Sequence, residues 1–93
     1  MKKIISGIYK ITNLINEKVY IGQSVNIYQR WHDHCYKEYN RHLSSAFAAY
    51  GIDNFTFEIL EETLIEDLTK REEYYIQVYD ARNPVKGYNC KEA

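Results

Sequence analysis

The sequence predicts a small α+β domain, in which a three-stranded antiparallel sheet is flanked by about three helices in the order β-β-α-α-β-α. Three segments are rich in β-branched and aromatic residues, and the segments between and after them have helical spacing and capping residues. The 93 residues are 45% apolar and 27% charged, which is ordinary for one globular domain. We therefore interpret residues 1–93 as a single domain and exclude a disordered or membrane-spanning chain.

The first two predicted strands form a hairpin. Residues 6–13 are rich in β-branched and aromatic side chains, and residues 14–18 contain a polar turn. Residues 19–22 have the composition of a second strand, which would pair back on the first in an antiparallel direction.

Two helices are expected after the hairpin. Ser24 or Asn26 can cap the first helix, which would end directly before a break at residues 40–42. Residues 43–50 are rich in alanine and predict a second helix. Gly51 is well placed to end that helix, because glycine readily adopts the left-handed conformation that follows many helices.

A third strand and a third helix complete the predicted order. Residues 54–60 alternate with period two, which puts three apolar side chains on one face: Phe55, Phe57 and Ile59. Thr63 and Glu66 have capping-box spacing, so they predict the start of a helix that extends to about residue 79. Residues 84–89 are expected to be a loop with one short extended piece.

Charge is unevenly distributed along the chain, although the formal net charge is −1. Residues 1–46 carry seven Lys or Arg and three Asp or Glu, whereas residues 47–93 carry five and ten. A domain that binds nucleic acid unaided usually has a clear positive surplus. We therefore expect one basic face at most, and weak DNA binding by this domain alone.

Two features bear on the cellular compartment. Residues 1–5 are basic and then apolar, but the apolar part is too short for the hydrophobic region of a signal peptide. Cys35 and Cys90 lie far apart without CxxC spacing, and we interpret both as free thiols in a reducing compartment. We therefore expect a cytoplasmic protein with no membrane partner.

Two tripeptides carry the strongest functional signal. Gly7-Ile8-Tyr9 lies in the first predicted strand and Tyr20-Ile21-Gly22 in the second, and ten residues separate them. Six fixed residues at fixed spacing arise by chance about once in tens of millions of windows. The pair resembles the GIY-YIG nuclease family, and the resemblance continues over nearly the whole chain. It includes Arg30, His34, Glu72 with the aromatic pair Tyr74 and Tyr75 after it, and Gly87-Tyr88-Asn89.

The residues of the two tripeptides also have a plainer interpretation. Alternate residues of a strand share a face, so Tyr9 shares one with Gly7 and Tyr20 shares one with Gly22. If the two faces coincide in the hairpin, both hydroxyls point to one surface and the glycines leave space beside them. Pattern alone favours amphipathic tyrosines at the edge of the core and glycines at bulges. The family resemblance favours a catalytic pair.

Arg30 and His34 are four residues apart in the first predicted helix and therefore lie on one side of it. We expect the neighbouring apolar stripe to face the core: Ile27, Trp31 and Cys35. Arg30 and His34 would then lie at the edge of the core and clamp a phosphate, while His32 points into solvent. Spacing alone is equally compatible with an ordinary exposed pair.

Glu72 has an unusual position in the last predicted helix. It lies four residues from both Leu68 and Ile76, in a stripe that also includes Ile65 and Tyr79. A carboxylate that faces the core is costly unless it is paired or binds a metal, and the pattern allows either role. The neighbouring acidic residues are expected on the solvated surface: Glu66, Asp67 and Glu73.

The resemblance implies a Mg²⁺-dependent DNA endonuclease that hydrolyses a phosphodiester bond, with Mn²⁺ as a substitute for Mg²⁺. It implies that Glu72 is the metal ligand and that Arg30 stabilises charge on the phosphoryl oxygens. Tyr9 is expected to take the proton from the attacking water, and Tyr20 to position the water or phosphate. The other residues expected to bind substrate or to assist are Lys18, His34, His42 and Asn89.

The expected partner is double-stranded DNA, and the expected state is a monomer in a bacterial or phage-infected cell. The resemblance is greatest to catalytic domains of phage and intron homing endonucleases, in which a separate module binds DNA. It therefore implies a tethered DNA-binding module C-terminal to this domain. A restriction or DNA-repair nuclease is an alternative, as is an inactive relic that binds DNA. The presence of both Arg30 and Glu72 favours an enzyme.

Overall fold

The computed structural model describes residues 3–37 and 40–89 of the chain. The described residues form a β-β-α-α-β-α arrangement, which confirms the predicted fold class. The elements are β1 (Gly7–Asn13), β2 (Val19–Ser24), α1 (Ile27–Tyr36), α2 (Arg41–Tyr50), β3 (Phe55–Glu62) and α3 (Leu68–Tyr79). Short 3₁₀ turns precede β3 and α3.

The sheet has the strand order β2-β1-β3, and both pairings with the central strand β1 are antiparallel. In the β1–β2 pair, Tyr9 lies opposite Gly22 and Ile11 lies opposite Tyr20. Because directly opposed residues share a face, Tyr9 and Tyr20 point to the same side of the sheet. The predicted hairpin and the shared face of the two tyrosines are therefore confirmed.

Helices cover both faces of the sheet. On one face, α3 contributes Leu68 and Ile76 to a core with Ile8 and Ile21. On the other face, α1 and α2 contribute to a second core: Ile27, Leu43 and Ala46, packed with Tyr9, Ile11 and Phe55. Phe57 and Ile59 pack against this second core, as the alternation in β3 predicts. None of the described helices is long and apolar enough to cross a membrane.

Asparagine side chains determine where α1 and α2 begin. Asn26 accepts a hydrogen bond from the Gln29 amide at 3.3 Å, and Asn40 accepts one from the Leu43 amide at 2.9 Å. The prediction that residues 40–42 form a break is therefore wrong, because Asn40 caps α2 and the next two residues form its first turn. Helix α2 ends at Gly51 as predicted, with φ of 86° and ψ of 130°, a positive φ that favours glycine but lies outside the left-handed helical region.

The start of α3 and the end of α1 also differ from prediction. Thr63 caps no helix, because its hydroxyl donates to Glu61 at 2.8 Å and its amide donates to the Ser6 carbonyl at 2.8 Å. These bonds extend the pairing of β3 past its predicted end, and α3 begins only at Leu68. Helix α1 ends at Tyr36, where Lys37 turns extended. Residues 38 and 39, in its predicted last turn, lie outside the described residues.

Residues 86–89 lie along the outer edge of β2. The Val19 amide donates to the Lys86 carbonyl at 3.1 Å, and the Tyr88 amide donates to the Val19 carbonyl at 2.9 Å. The Asn89 side chain continues this pairing, since it accepts from the Ile21 amide at 2.9 Å and donates to the Ile21 carbonyl at 2.8 Å. This is the short extended piece predicted for the tail.

Candidate active site

A buried tyrosine and a buried histidine are hydrogen-bonded between β1 and α1. The Tyr9 hydroxyl lies 2.8 Å from Nε2 of His34, and these residues are 0% and 3% exposed. The prediction that Cys35 faces the core is wrong, since Cys35 is exposed and its neighbour His34 is buried instead. The hydroxyl of Tyr9 explains this orientation, because it gives the buried imidazole a hydrogen-bond partner.

Tyr20 completes an aromatic cluster with this pair. Its ring centroid lies 6.3 Å from that of Tyr9 and 5.5 Å from that of His34, and Tyr20 itself is half-buried. Gly22 makes room for the cluster, because a Cβ atom at this position would lie 2.3 Å from the Tyr9 hydroxyl. The glycine of the second tripeptide therefore has a steric role toward the tyrosine of the first.

The environment of His34 keeps its imidazole neutral at neutral pH. Burial and, to a smaller extent, the nearby Arg30 cation together lower the pKa of His34 to about 4, against a small opposing effect of Asp33. A neutral imidazole has one nitrogen that accepts and one that donates. Depending on its tautomer, Nε2 of His34 can therefore accept a hydrogen bond from the Tyr9 hydroxyl or donate one to it.

Gln23 connects Arg30 of α1 to Glu72 of α3, which lie on opposite faces of the sheet. Nη1 of Arg30 donates to the Gln23 carbonyl at 3.1 Å, and the Gln23 side-chain amide donates to Glu72 Oε1 at 3.2 Å. Both contacts are possible because β2 is an edge strand, around which side chains from the two faces can meet. Sequence reasoning missed Gln23, although its place directly after Gly22 puts it on the α3 side.

Glu72 is half-buried, which agrees with its predicted place in the stripe of Leu68 and Ile76. Burial raises the pKa of Glu72, and the Gln23 hydrogen bond and the cations Arg82 and Arg30 partly offset this rise. Arg30 thus affects the pKa of both Glu72 and His34. Arg30 reaches the edge of β2 at the Gln23 carbonyl, and the Gln23 side chain continues from there to Glu72.

Glu73 lies at the surface as predicted, with a side chain that is 42% exposed, but it is ion-paired. Arg82 donates to both of its carboxylate oxygens, from Nη1 at 2.7 Å and from Nη2 at 2.6 Å. These hydrogen bonds lower the pKa of Glu73 to about 2. Glu66 and Asp67 are exposed as expected, whereas Ile65 is 64% exposed and does not belong to the buried stripe.

Three residues predicted to bind substrate line one cavity of about 720 Å³ at the outer edge of β2: Lys18, His42 and Asn89. Nζ of Lys18 lies 5.1 Å from the ring centroid of Tyr88. The side-chain amide of Asn89 is bonded to Ile21 through both its oxygen and its nitrogen. Asn89 therefore holds the tail on β2 and shapes the cavity.

Glu72 is suited to a hard divalent cation. Within residues 3–37 and 40–89, no group of three or more His, Cys, Asp or Glu side chains could enclose a metal ion. Mg²⁺ often binds one or two carboxylates and keeps several waters, so a single half-buried carboxylate at an open edge fits it. A closed zinc site would need four ligands and does not fit.

Comparison with known proteins agrees with this geometry. Residues 5–89 match the family described as the GIY-YIG catalytic domain. The chain is 32% identical to intron-associated endonuclease 1 of Enterobacteria phage T4, over 95% of this chain and 38% of that protein. It is 35% identical to probable intron-encoded endonuclease 1 of Neurospora crassa, over 83% of this chain and 28% of that protein. The chain thus spans well under half the length of these relatives.

The fold also matches solved structures. The catalytic domain of the homing endonuclease I-TevI superposes with a TM-score of 0.80 at 29% identity, over 94% of this chain and 99% of that domain. A mutant of the same catalytic domain gives a TM-score of 0.80 over 97% of both chains. The match over residues 5–89 includes both tripeptides and the residues gathered around β2. This chain therefore belongs to the GIY-YIG family, as a catalytic domain of that family.

Proposed function

We propose that this chain is a DNA endonuclease domain that hydrolyses a phosphodiester bond with the help of Mg²⁺ or Mn²⁺. The observation that carries the proposal is the arrangement around β2: Arg30 donates to the Gln23 carbonyl at 3.1 Å, and the Gln23 side chain donates to Glu72 at 3.2 Å. The hydrogen-bonded pair of Tyr9 and His34 lies on the Arg30 side of the sheet. A cation, a hydrogen-bonded tyrosine and histidine, and a carboxylate around one strand are groups that the cleavage of a negatively charged ester can use.

Arg30 acts on the phosphate in this proposal. Its guanidinium is always charged and carries donors in a planar fork that matches phosphate oxygens. Nη1 already donates to the Gln23 carbonyl, which fixes the orientation of the fork at the edge of β2. Because it is held in place before substrate binds, Arg30 can stabilise charge that develops on the phosphoryl oxygens.

In this proposal, the aromatic cluster takes part in proton transfer from the attacking water. Tyr9 is 0% exposed and bonded to His34, whereas Tyr20 retains exposed surface. Burial therefore favours Tyr20 for direct contact with the water, while Tyr9 would act through His34. The earlier expectation that Tyr9 is the general base stays a prediction. The variants Tyr9→Phe and Tyr20→Phe distinguish the two tyrosines by the larger loss of the single-turnover rate.

Glu72 would hold the divalent cation. When bound, Mg²⁺ supplies positive charge that stabilises the phosphoryl oxygens. Gln23 donates to Oε1 of Glu72 and so orients the carboxylate at the edge of β2. Burial raises the pKa of Glu72, and none of its described hydrogen bonds is an ion pair. A bound cation would offset the free-energy cost of burying the carboxylate charge.

The homing type is the biology that the relatives favour, since their names describe intron-associated and intron-encoded endonucleases. The chain spans 38% and 28% of these proteins, so a longer natural protein with a tethered DNA-binding module is part of this proposal. We further propose that the domain acts on double-stranded DNA as a monomer in the cytoplasm.

Supercoiled plasmid tests the proposal. The purified chain should convert it to the nicked form with Mg²⁺ or Mn²⁺, and a chelator should stop the reaction. An inactive relic would shift the mobility of the plasmid without nicking it. Nicking that continues unchanged with the chelator would refute the metal requirement, and absence of nicking under all these conditions would refute the nuclease.

A further inference from the structure

The cavity at the outer edge of β2 has a basic lining that extends beyond the residues placed in the catalytic steps. Its polar lining residues are Lys18, His42, Arg82, Asn83, Tyr88 and Asn89. These supply the Lys18 ammonium, the Arg82 guanidinium, an imidazole and two amides, and no Asp or Glu is among the described lining residues, although Arg82 is ion-paired with Glu73 behind the lining. A concave surface with this composition selects an anion, because every ionisable group in it is neutral or positive.

Arg82 is held rigidly at this cavity. Both of its terminal nitrogens donate to the Glu73 carboxylate, and the side chain is 29% exposed. Its Nε is buried and has no hydrogen-bond partner among the described residues. A guanidinium fixed in this way loses little conformational entropy when it meets an anion, whereas a free surface arginine loses more.

Arg82 also links the cavity to the proposed catalytic residues. It is close enough to Glu72 to lower the pKa of that carboxylate, in the same direction as Arg30 does. Lys18, which also lines the cavity, directly precedes β2, the strand that carries Tyr20. The cavity and the catalytic residues therefore lie along the same strand edge, as neighbouring phosphates of one DNA strand would require.

We propose that this cavity binds a backbone phosphate next to the one that is cleaved, with Arg82 and Lys18 as its cationic contacts. Glu73 is the positioning residue that orients Arg82. The proposal rests on DNA as the substrate and deepens the proposed function by adding a second phosphate site. Because the contact is with the backbone, it strengthens binding to every DNA sequence alike and confers no base specificity.

Equilibrium binding to a short fluorescent duplex in a chelator, where cleavage is prevented, tests this site. Arg82→Gln and Lys18→Gln should each weaken binding about five- to tenfold, and should reduce the slope of log affinity against log salt by about 0.9. The single-turnover rate at saturating DNA should fall less than the affinity, because the contact is not with the reacting phosphate.

Arg71→Gln is the matched control. Arg71 also forms a bidentate ion pair, with Glu61, but on β3 at the opposite edge of the sheet. The Arg71→Gln variant should lower the midpoint temperature of unfolding about as much as Arg82→Gln does, and its DNA affinity should stay within twofold of wild type. Equal affinities of the Arg71 and Arg82 variants would overturn the proposal and leave Arg82 with a structural role.

Two further outcomes separate this inference from the proposed function. If Arg82→Gln lowers the rate at saturation without weakening binding, the arginine touches the reacting phosphate and the second site is refuted. If the wild-type chain binds DNA in an Arg82-dependent manner but cleaves none, the nuclease function fails while the phosphate site stands.

Discussion

Gly22 matters because of the atoms it lacks. A Cβ at this position would lie 2.3 Å from the Tyr9 hydroxyl, so Gly22→Ala should displace the Tyr9 ring from His34. Overpacking of this kind costs about 1–3 kcal/mol. Urea unfolding should show that loss, and NMR titration should show the His34 pKa returning from about 4 toward its ordinary value. An unchanged His34 pKa would contradict this steric role.

Arg30→Ala should lower the single-turnover cleavage rate about 10²–10³-fold, because one preorganised donor at developing charge contributes this much in comparable sites. DNA affinity should change far less. His32→Ala is the matched control, since His32 is exposed on the same helix and should leave the rate unchanged. An equal rate for Arg30→Ala and His32→Ala would remove Arg30 from the chemistry.

Strand β2 depends on the tail that covers its outer edge. Asn89 imitates a strand residue, since its side-chain amide satisfies both the amide and the carbonyl of Ile21. This pairing keeps Tyr20 and Gly22, on either side of Ile21, at a fixed place relative to β1. The geometry of the candidate site at this edge therefore depends on a segment far away in the sequence.

Asn89→Asp tests this dependence. An aspartate can still accept from the Ile21 amide, but it cannot donate to the Ile21 carbonyl, which it repels. We expect a loss of about 1–3 kcal/mol in the free energy of unfolding, measured with urea. Asn83→Asp, on the exposed turn after α3, should cost much less. Similar stabilities of the two variants would contradict the role of Asn89.

Local patterns predicted the hairpin and the face of β3, because alternation and β-branched residues report directly on strands. They wrongly predicted a helix start at Thr63, because the Thr63 amide pairs with the Ser6 carbonyl across the sheet instead. They also failed at Cys35, because apolar spacing carries no information about the hydroxyl of Tyr9 that draws His34 inward. Local patterns cannot reveal partners that are distant in the sequence.

The features of the candidate site also fall into two groups, those that the sequence predicted and those that it did not. Tyr9, Tyr20, Arg30, His34 and Glu72 were found through the family resemblance, and the structure brings them together around β2. The connecting contact through Gln23 and the pairing of Glu73 with Arg82 were missed. Gln23 is 49 residues from Glu72, and Arg82 lies beyond the end of α3, nine residues after Glu73, so helical spacing encodes neither contact.

The stability of the molecule should depend on pH through His34. Its folded-state pKa of about 4 lies below the ordinary value of 6.5, so the unfolded chain binds more protons between these pH values. The contribution is complete above pH 6.5 and is lost as pH falls toward 4. We expect a loss of about 2 kcal/mol between pH 7 and pH 5, measured by urea unfolding.

Substitution identifies the group responsible for that loss. His34→Gln should remove most of the difference between pH 7 and pH 5, whereas the exposed His32→Gln should keep it. The ion-paired carboxylates Glu61 and Glu73, with pKa values of about 2, contribute mainly below this interval. A pH dependence that persists in His34→Gln would show that another group is responsible.

The most direct measurement compares Glu72→Gln with Glu66→Gln in the nicking of supercoiled plasmid with Mg²⁺. The first variant removes the half-buried anionic ligand and keeps its volume, while the second neutralises an exposed carboxylate just before α3. Both variants should unfold cooperatively near the wild-type temperature. Loss of nicking in Glu72→Gln with wild-type nicking in Glu66→Gln is the predicted result. Equal nicking by the two variants would contradict a catalytic site built around Glu72.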